Sequence, residues 1–122
     1  MITIPSELKA EYPFASNFFL IEENNLHYVD TGAGEVILML HGNPTWSFFY
    51  RNLAKHFSKN FRVIVPDHMG CGLSDKPLDY QYTLNTHIEN LSLLVKKLKL
   101  ENITLVVHDW GGAIGMGLAT RH

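Results

Sequence analysis

The strongest chemical signal in the sequence is Asp109, which stands between an apolar run and two glycines. Residues 103–107 (ITLVV) have the composition of a buried strand, and Gly111 and Gly112 open the segment after Trp110. This order predicts a sharp strand-to-helix turn that exposes Asp109 as a nucleophile. A carboxylate attacks an sp³ carbon without prior deprotonation and forms an ester, which a histidine-activated water then hydrolyses. A helix N-cap is the alternative role for Asp109.

A second polar segment, residues 41–44 (HGNP), follows the apolar run 36–40, and its presence favours the nucleophile over the N-cap. The backbone N–H groups of Asn43 and Trp110 are predicted to converge as an oxyanion hole. The side chains of Asn43 and Trp110 add an amide and an indole N–H, uncharged donors that suit a departing halide or another soft anion. Asp109 is therefore the predicted catalytic residue, and Asn43 and Trp110 are the predicted leaving-group ligands.

The segments around these residues alternate between strand-like and helix-like patterns. Two short strands separated by polar turn residues predict an antiparallel hairpin, over 18–22 and 26–30. Continuous apolar runs predict three strands covered on both faces, at 36–40, 61–65 and 103–107. Helical periodicity appears at 46–57 and at 84–99, where Thr83 is the expected N-cap, and a further helix starts at Gly111. This alternation predicts a mostly parallel α/β sheet, whose ligands bind beyond the carboxyl ends of the strands.

The composition limits which classes of molecule this protein is expected to bind. The 122 residues are 46% apolar and 18% charged with a formal charge of −2, so a packed core is expected and a nucleic-acid surface is not. A single cysteine, Cys71, excludes an internal disulfide framework, and the histidines lack metal-ligand spacing, so we expect no metal and no cofactor. No signal peptide and no membrane span is recognisable. We expect a soluble, cytoplasmic protein that acts on a small hydrophobic substrate; nothing identifies a partner chain.

Three motifs resemble, in order and spacing, the N-terminal signatures of the haloalkane dehalogenase-like branch of the α/β-hydrolase superfamily: HGNPT at 41–45, GCGLSDKP at 70–77 and VHDWGG at 107–112. The resemblance covers almost the whole chain. It implies an α/β-hydrolase core with Asp109 as nucleophile, the side chains of Asn43 and Trp110 as the halide-binding pair, and their backbone N–H groups as oxyanion donors. It also implies that the catalytic acid, the histidine base and the lid of such enzymes lie C-terminal to residue 122.

Several activities stay open within this resemblance. Residues 41–53 and 66–77 also look like the β-lactone decarboxylases of long-chain olefin biosynthesis, which use the same aspartate and release CO₂ and a cis-alkene. Epoxide hydrolases share the HDWGG segment but usually carry an aromatic residue where Asn43 stands. The non-enzymatic alternative is a catalytically inert truncated fragment.

The end of the sequence bears on domain organisation. Residues 114–122 have the pattern of a helix without a C-terminal cap, and nothing after them would cover the last strand of the sheet. We therefore expect residues 1–122 to be the N-terminal half of an incomplete α/β-hydrolase core, without the lid and the C-terminal half. The longer parent is the expected hydrolase, whereas the 122-residue chain alone is expected to be inactive and prone to association.

Overall fold

The computed structural model describes residues 4–121 and contains five strands and three α-helices in that range. The strands are β1 (Asn17–Ile21), β2 (Asn24–Thr31), β3 (Val36–Leu40), β4 (Arg62–Pro66) and β5 (Thr104–Val107). The α-helices are α1 (Arg51–Phe57), α2 (Leu84–Leu98) and α3 (Trp110–Arg121), and short 3-10 helices lie at Ser6–Leu8 and Ser47–Tyr50. Each of the five strands and three α-helices overlaps a predicted segment.

The five strands form one mixed sheet in the order β1-β2-β4-β3-β5. β1 and β2 pair antiparallel as the predicted hairpin, and β4, β3 and β5 run parallel to one another, as the continuous apolar runs indicate. β2 also pairs antiparallel with β4, which joins the hairpin to the parallel part. The carboxyl ends of β4, β3 and β5 therefore lie side by side, and the loops that follow them meet at one edge.

Alternate residues of the central strands belong to two different hydrophobic cores, one on each face of the sheet. Leu38 and Leu40 of β3 belong to the core that α2 and α3 cover, through Leu91, Leu94 and Ile114 among others. The intervening residues of β3 and β4 pack on the opposite face against α1 and the segment before it; this set includes Ile37, Met39, Val63, Val65, Tyr50 and Ala54. Helices on both faces explain why β3 is buried along its whole length.

Thr83 caps α2 as predicted, because its side chain accepts a hydrogen bond from the Thr86 N–H at 3.1 Å. α2 is 15 residues long, and none of the helices in residues 4–121 has the length and apolar character that a membrane crossing requires.

Three boundaries differ from the predicted ones. The helix predicted from residue 46 begins as a 3-10 helix and becomes α-helical at Arg51, since the Ser47 N–H is directed to the buried Asp67 carboxylate at 2.6 Å. The hairpin turn is tighter than predicted, with Glu22 at φ 56 and only one further residue before β2. α3 begins at Trp110, one residue earlier than expected; residue 122, the last of the predicted helical segment, lies outside the described residues.

Candidate active site

Asp109 occupies a tight turn between β5 and α3. Its backbone φ is 55, a left-handed conformation that is uncommon for a residue other than glycine, and its side chain is exposed. Two short-range hydrogen bonds close the turn, from the Gly111 N–H to His108 O at 2.9 Å and from the Gly112 N–H to Asp109 O at 2.8 Å. Sterically unfavourable backbone of this kind concentrates at functional sites, because the surrounding structure has to maintain it.

Two glycines allow the segments around Asp109 to approach closely. A Cβ atom on Gly111 would lie 2.3 Å from the Leu40 carbonyl oxygen, so only glycine lets α3 begin against the end of β3. A Cβ atom on Gly42 would lie 2.7 Å from Asp109 Cβ and 2.9 Å from Asp109 Oδ2. The close contact between the loop after β3 and the turn after β5 therefore depends on these two positions.

Backbone donors surround the Asp109 carboxylate. The Asn43 N–H donates to Oδ2 at 3.2 Å, across 66 residues of sequence. The N–H of Trp110, and next that of Asn43, hold the pKa of the Asp109 carboxyl below its ordinary value. The carboxylate is therefore ionised at neutral pH, the state that a nucleophilic carboxylate needs. The Asn43 N–H, one of the two predicted oxyanion donors, is thus directed at the carboxylate itself.

A cavity of about 560 Å³ opens beside this turn, and Asn43 and Trp110 both line it. Trp110 keeps 43% of its surface exposed, which is unusual for a side chain whose role is packing alone. The remaining walls come from the loop after β4 and from the start of α2, through His68, Met69, Cys71, Tyr82 and His87 among others. The structure thus brings Asn43, Trp110 and Asp109 together at one edge of the sheet.

Three histidines connect the site loops to α2. The backbone N–H of His68 donates to His41 Nε2 at 3.0 Å, and His68 Nε2–H donates to His41 O at 3.1 Å. His41 must then carry its proton on Nδ1, which donates to Gly42 O at 2.7 Å. The His68 ring lies 5.4 Å from the His87 ring, centroid to centroid. This arrangement ties the Asn43 loop to the loop after β4.

Burial keeps these histidines uncharged. It lowers the pKa of His68 to about 3, with a further contribution from His41 and His87, and it also lowers the pKa values of His41 and His87. The Nδ1 atoms of His68 and His87 are buried and have no hydrogen-bond partner. Within residues 4–121, no three His, Cys, Asp or Glu side chains are placed to hold a metal ion.

His68 and His87, the histidine wall of the cavity, were not among the predicted site residues. His68 lies in a loop that the sequence already placed at the carboxyl edge, and His87 lies one turn into α2, which starts at the same edge. The position of His68 and His87 at that edge was therefore the sequence signal that could have identified them. His108, which directly precedes Asp109, stacks on Phe49 with ring centroids 4.8 Å apart.

The loop after β4 is held by a buried aspartate. Asp67 accepts hydrogen bonds from the N–H of Ser47 at 2.6 Å and of Leu73 at 3.0 Å. Asp75 accepts from the Asn25 N–H at 2.7 Å, and Lys76 Nζ donates to Gly72 O and Ser74 O. Asp67, Asp75 and Lys76 therefore stabilise the loop.

Comparison with known proteins places this geometry in a family. The family model for the alpha/beta hydrolase fold matches residues 35–122. The cis-3-alkyl-4-alkyloxetan-2-one decarboxylase of Shewanella oneidensis is 55% identical over 113 residues, covering 90% of this chain and 36% of the relative. Haloalkane dehalogenase 2 of Mycobacterium tuberculosis is 41% identical over 110 residues, covering 90% and 38%. The chain thus spans little more than a third of the length of these curated relatives.

Solved structures agree with this placement. The haloalkane dehalogenase DatA from Agrobacterium tumefaciens superposes with a TM-score of 0.81 at 34% identity, covering 88% of this chain and 36% of that one. An epoxide hydrolase from Bacillus megaterium superposes with a TM-score of 0.77 at 35% identity, covering 86% and 37%. The described part of the chain matches an α/β-hydrolase core in sequence and in topology. The chain belongs to the α/β-hydrolase fold family.

Proposed function

We propose that Asp109 is the nucleophile of this protein and forms an ester with a carbon atom of a small hydrophobic substrate. The observation that carries the proposal is the exposed, ionised Asp109 carboxylate at the tip of a strained turn, held by the Asn43 and Trp110 N–H groups. When one carboxylate oxygen attacks, the other becomes the carbonyl oxygen of the ester. Donors already directed at this carboxylate stabilise the charge that develops there when the ester is later cleaved.

We propose a 3,4-dialkyl β-lactone as the substrate, because the decarboxylase relative shares 55% identity over 90% of this chain. In this route Asp109 attacks the ring carbon C4, the C4–O bond breaks, and the ring oxygen leaves as part of a free carboxylate. That carboxylate then loses CO₂, the electrons of the broken C–C bond form the alkene, and the Asp109 carboxylate is expelled. The route returns the nucleophile without water and without a proton transfer.

Haloalkane hydrolysis is the second candidate, and the position of Asn43 and Trp110 on the cavity wall favours it. Asp109 would displace a halide from a terminal carbon, and the Asn43 amide and the Trp110 indole N–H would bind the departing ion. Release of the alcohol then needs a water activated by a general base. The family resemblance implies that this base lies C-terminal to residue 122.

A paired substrate assay tests the proposal on the full-length protein. A cis-3,4-dialkyl β-lactone is expected to yield alkene and CO₂, detected by gas chromatography and mass spectrometry, and a 1-haloalkane of similar length should release little halide. Asp109→Asn should lower turnover on the order of 10⁴-fold or more, because an amide is a poor nucleophile. Halide release without alkene would favour the dehalogenase. An Asp109→Asn protein with nearly unchanged turnover would exclude Asp109 as the nucleophile.

A further inference from the structure

A hydrogen-bonded row of three side chains, Ser16, His27 and Asp67, lies away from Asp109. Ser16 Oγ is 3.1 Å from His27 Nε2, and His27 Nδ1 is 2.9 Å from Asp67 Oδ2. Ser16 precedes β1, His27 lies in β2, and Asp67 directly follows β4, so the β1–β2 hairpin and the loop after β4 together supply the row. The 560 Å³ cavity beside Asn43 is lined by other residues.

The hydrogen bonds determine the protonation of this row. Burial acts to raise the pKa of the Asp67 carboxyl, but the hydrogen bond from His27 and those from the N–H groups of Leu73 and Ser47 outweigh it and lower that pKa. An ionised carboxylate can only accept, so His27 Nδ1 carries the hydrogen. In an uncharged His27 ring with its hydrogen on Nδ1, Nε2 is the acceptor, and the Ser16 hydroxyl, 3.1 Å away, is placed to donate to it.

The histidine and its carboxylate are buried, whereas the serine is exposed. His27 and Asp67 are fully buried, and the backbone N–H of His27 is held by Ser74 Oγ at 2.8 Å. Ser16 itself is exposed. An accessible nucleophile next to an imidazole that a buried carboxylate orients is the arrangement that activates serine in unrelated folds.

We propose that Ser16 is an activated nucleophile that accepts an acyl or phosphonyl group from a small reactive electrophile, with His27 as its general base and Asp67 as the residue that orients the base. With an alkyl fluorophosphonate, the Ser16 Oγ–P bond forms and the P–F bond breaks. The hydroxyl proton passes to His27 Nε2, and fluoride leaves as the anion. Because Ser16 is at the surface, compact electrophiles are the expected partners. This inference does not depend on the proposed role of Asp109.

Labelling with an alkyl fluorophosphonate, mapped by peptide mass spectrometry on the full-length protein, tests the proposal. We expect an adduct at Ser16 and none at Ser6, an exposed serine whose hydroxyl pairs with the Glu7 carboxylate at 3.4 Å instead of an imidazole. Ser16→Ala should abolish this adduct, and Asp109→Asn should leave it in place. Labelling of Ser6 at the same rate as Ser16, or no adduct at Ser16, would overturn the proposal.

The variant His27→Asn tests whether His27 acts as the base. The asparagine amide can still donate a hydrogen bond to Asp67 but cannot accept the Ser16 proton. We expect the labelling rate at Ser16 to fall about 10²-fold or more while the far-UV circular dichroism spectrum is retained. A folded His27→Asn protein that labels at the original rate would show that the row is only structural. If that variant does not fold, the ratio of Ser16 to Ser6 labelling in the unsubstituted protein decides the question.

Discussion

At the scale of single residues, the left-handed backbone of Asp109 depends on a nearby residue without a side chain, Gly111. A φ of 55 disfavours most side chains, and aspartate is among the few non-glycine residues that adopt it at modest cost. The turn is possible because Gly111 has no Cβ to meet the Leu40 carbonyl. Gly112, the next residue, has no such constraint, since a Cβ there would come no closer than 3.9 Å to Val107.

This contrast predicts opposite effects for two adjacent substitutions. Gly111→Ala should destabilise the protein by about 1–3 kcal/mol and reduce turnover strongly, because α3 must move away from β3 and carry Asp109 with it. Gly112→Ala is the matched control and should preserve activity, with stability unchanged or raised by up to about 1 kcal/mol, since alanine favours a helix. Chemical denaturation and initial rates measure both effects. Equal losses in the two variants would contradict this account of the turn.

At the scale of elements, neutral histidines join the two site loops to α2. The contacts of His41, His68 and His87 need uncharged rings, because His41 Nε2 must accept the His68 N–H and burial disfavours an imidazolium. In the folded protein the pKa values of all three lie below the ordinary value of 6.5. At acidic pH the unfolded chain therefore binds more protons than the folded one, and protonation favours unfolding.

The predicted consequence is a loss of stability as pH falls below about 6.5, above the range in which the carboxylates titrate. For His68 alone, linkage gives a loss of about 2 kcal/mol between about pH 7.5 and about pH 5. His68→Gln keeps an N–H donor for His41 O but cannot titrate, so its stability should fall by about 2 kcal/mol less over this range. Urea denaturation at the two pH values provides the measurement. An identical pH dependence in both proteins would exclude His68 as the titrating group.

At the scale of the whole molecule, the sheet has two edges, β1 and β5. Within residues 4–121, β5 pairs with β3 alone, and its residues are exposed or half-buried. A second cavity of about 320 Å³ lies next to it, lined mostly by apolar side chains that include Leu100, Leu105 and Leu118. An unpaired strand edge beside apolar surface favours association with another strand.

A chain limited to these 122 residues is therefore predicted to form oligomers as its concentration rises. Thr104→Lys places a charge at an exposed position of β5 and should shift the population toward monomer. Asn52→Lys adds the same charge to an exposed position of α1, a helix that packs against β4, and should leave association unchanged. Size-exclusion chromatography with light scattering measures the masses. A stable monomer at all concentrations would argue against association through β5.

The sequence by itself determined the order of strands and helices, the α2 cap at Thr83 and the identity of Asp109 as the exposed polar residue of its turn. These features follow from local patterns: apolar runs, helical spacing, and the residues that flank a turn. Asn43 and Trp110 were also predicted, because both stand at the ends of apolar strands whose carboxyl ends meet.

Only the tertiary structure decided the strand order, the histidine wall of the cavity and the Ser16–His27–Asp67 row. Local periodicity carries no information on which hairpin strand pairs with β4, or on which buried histidine contacts which loop. The Asn43–Asp109 hydrogen bond joins positions 66 residues apart, and the His27–Asp67 bond joins positions 40 apart. Such contacts depend on how the strands assemble and on which side chains fill the space between loops, so they exist only in the folded chain.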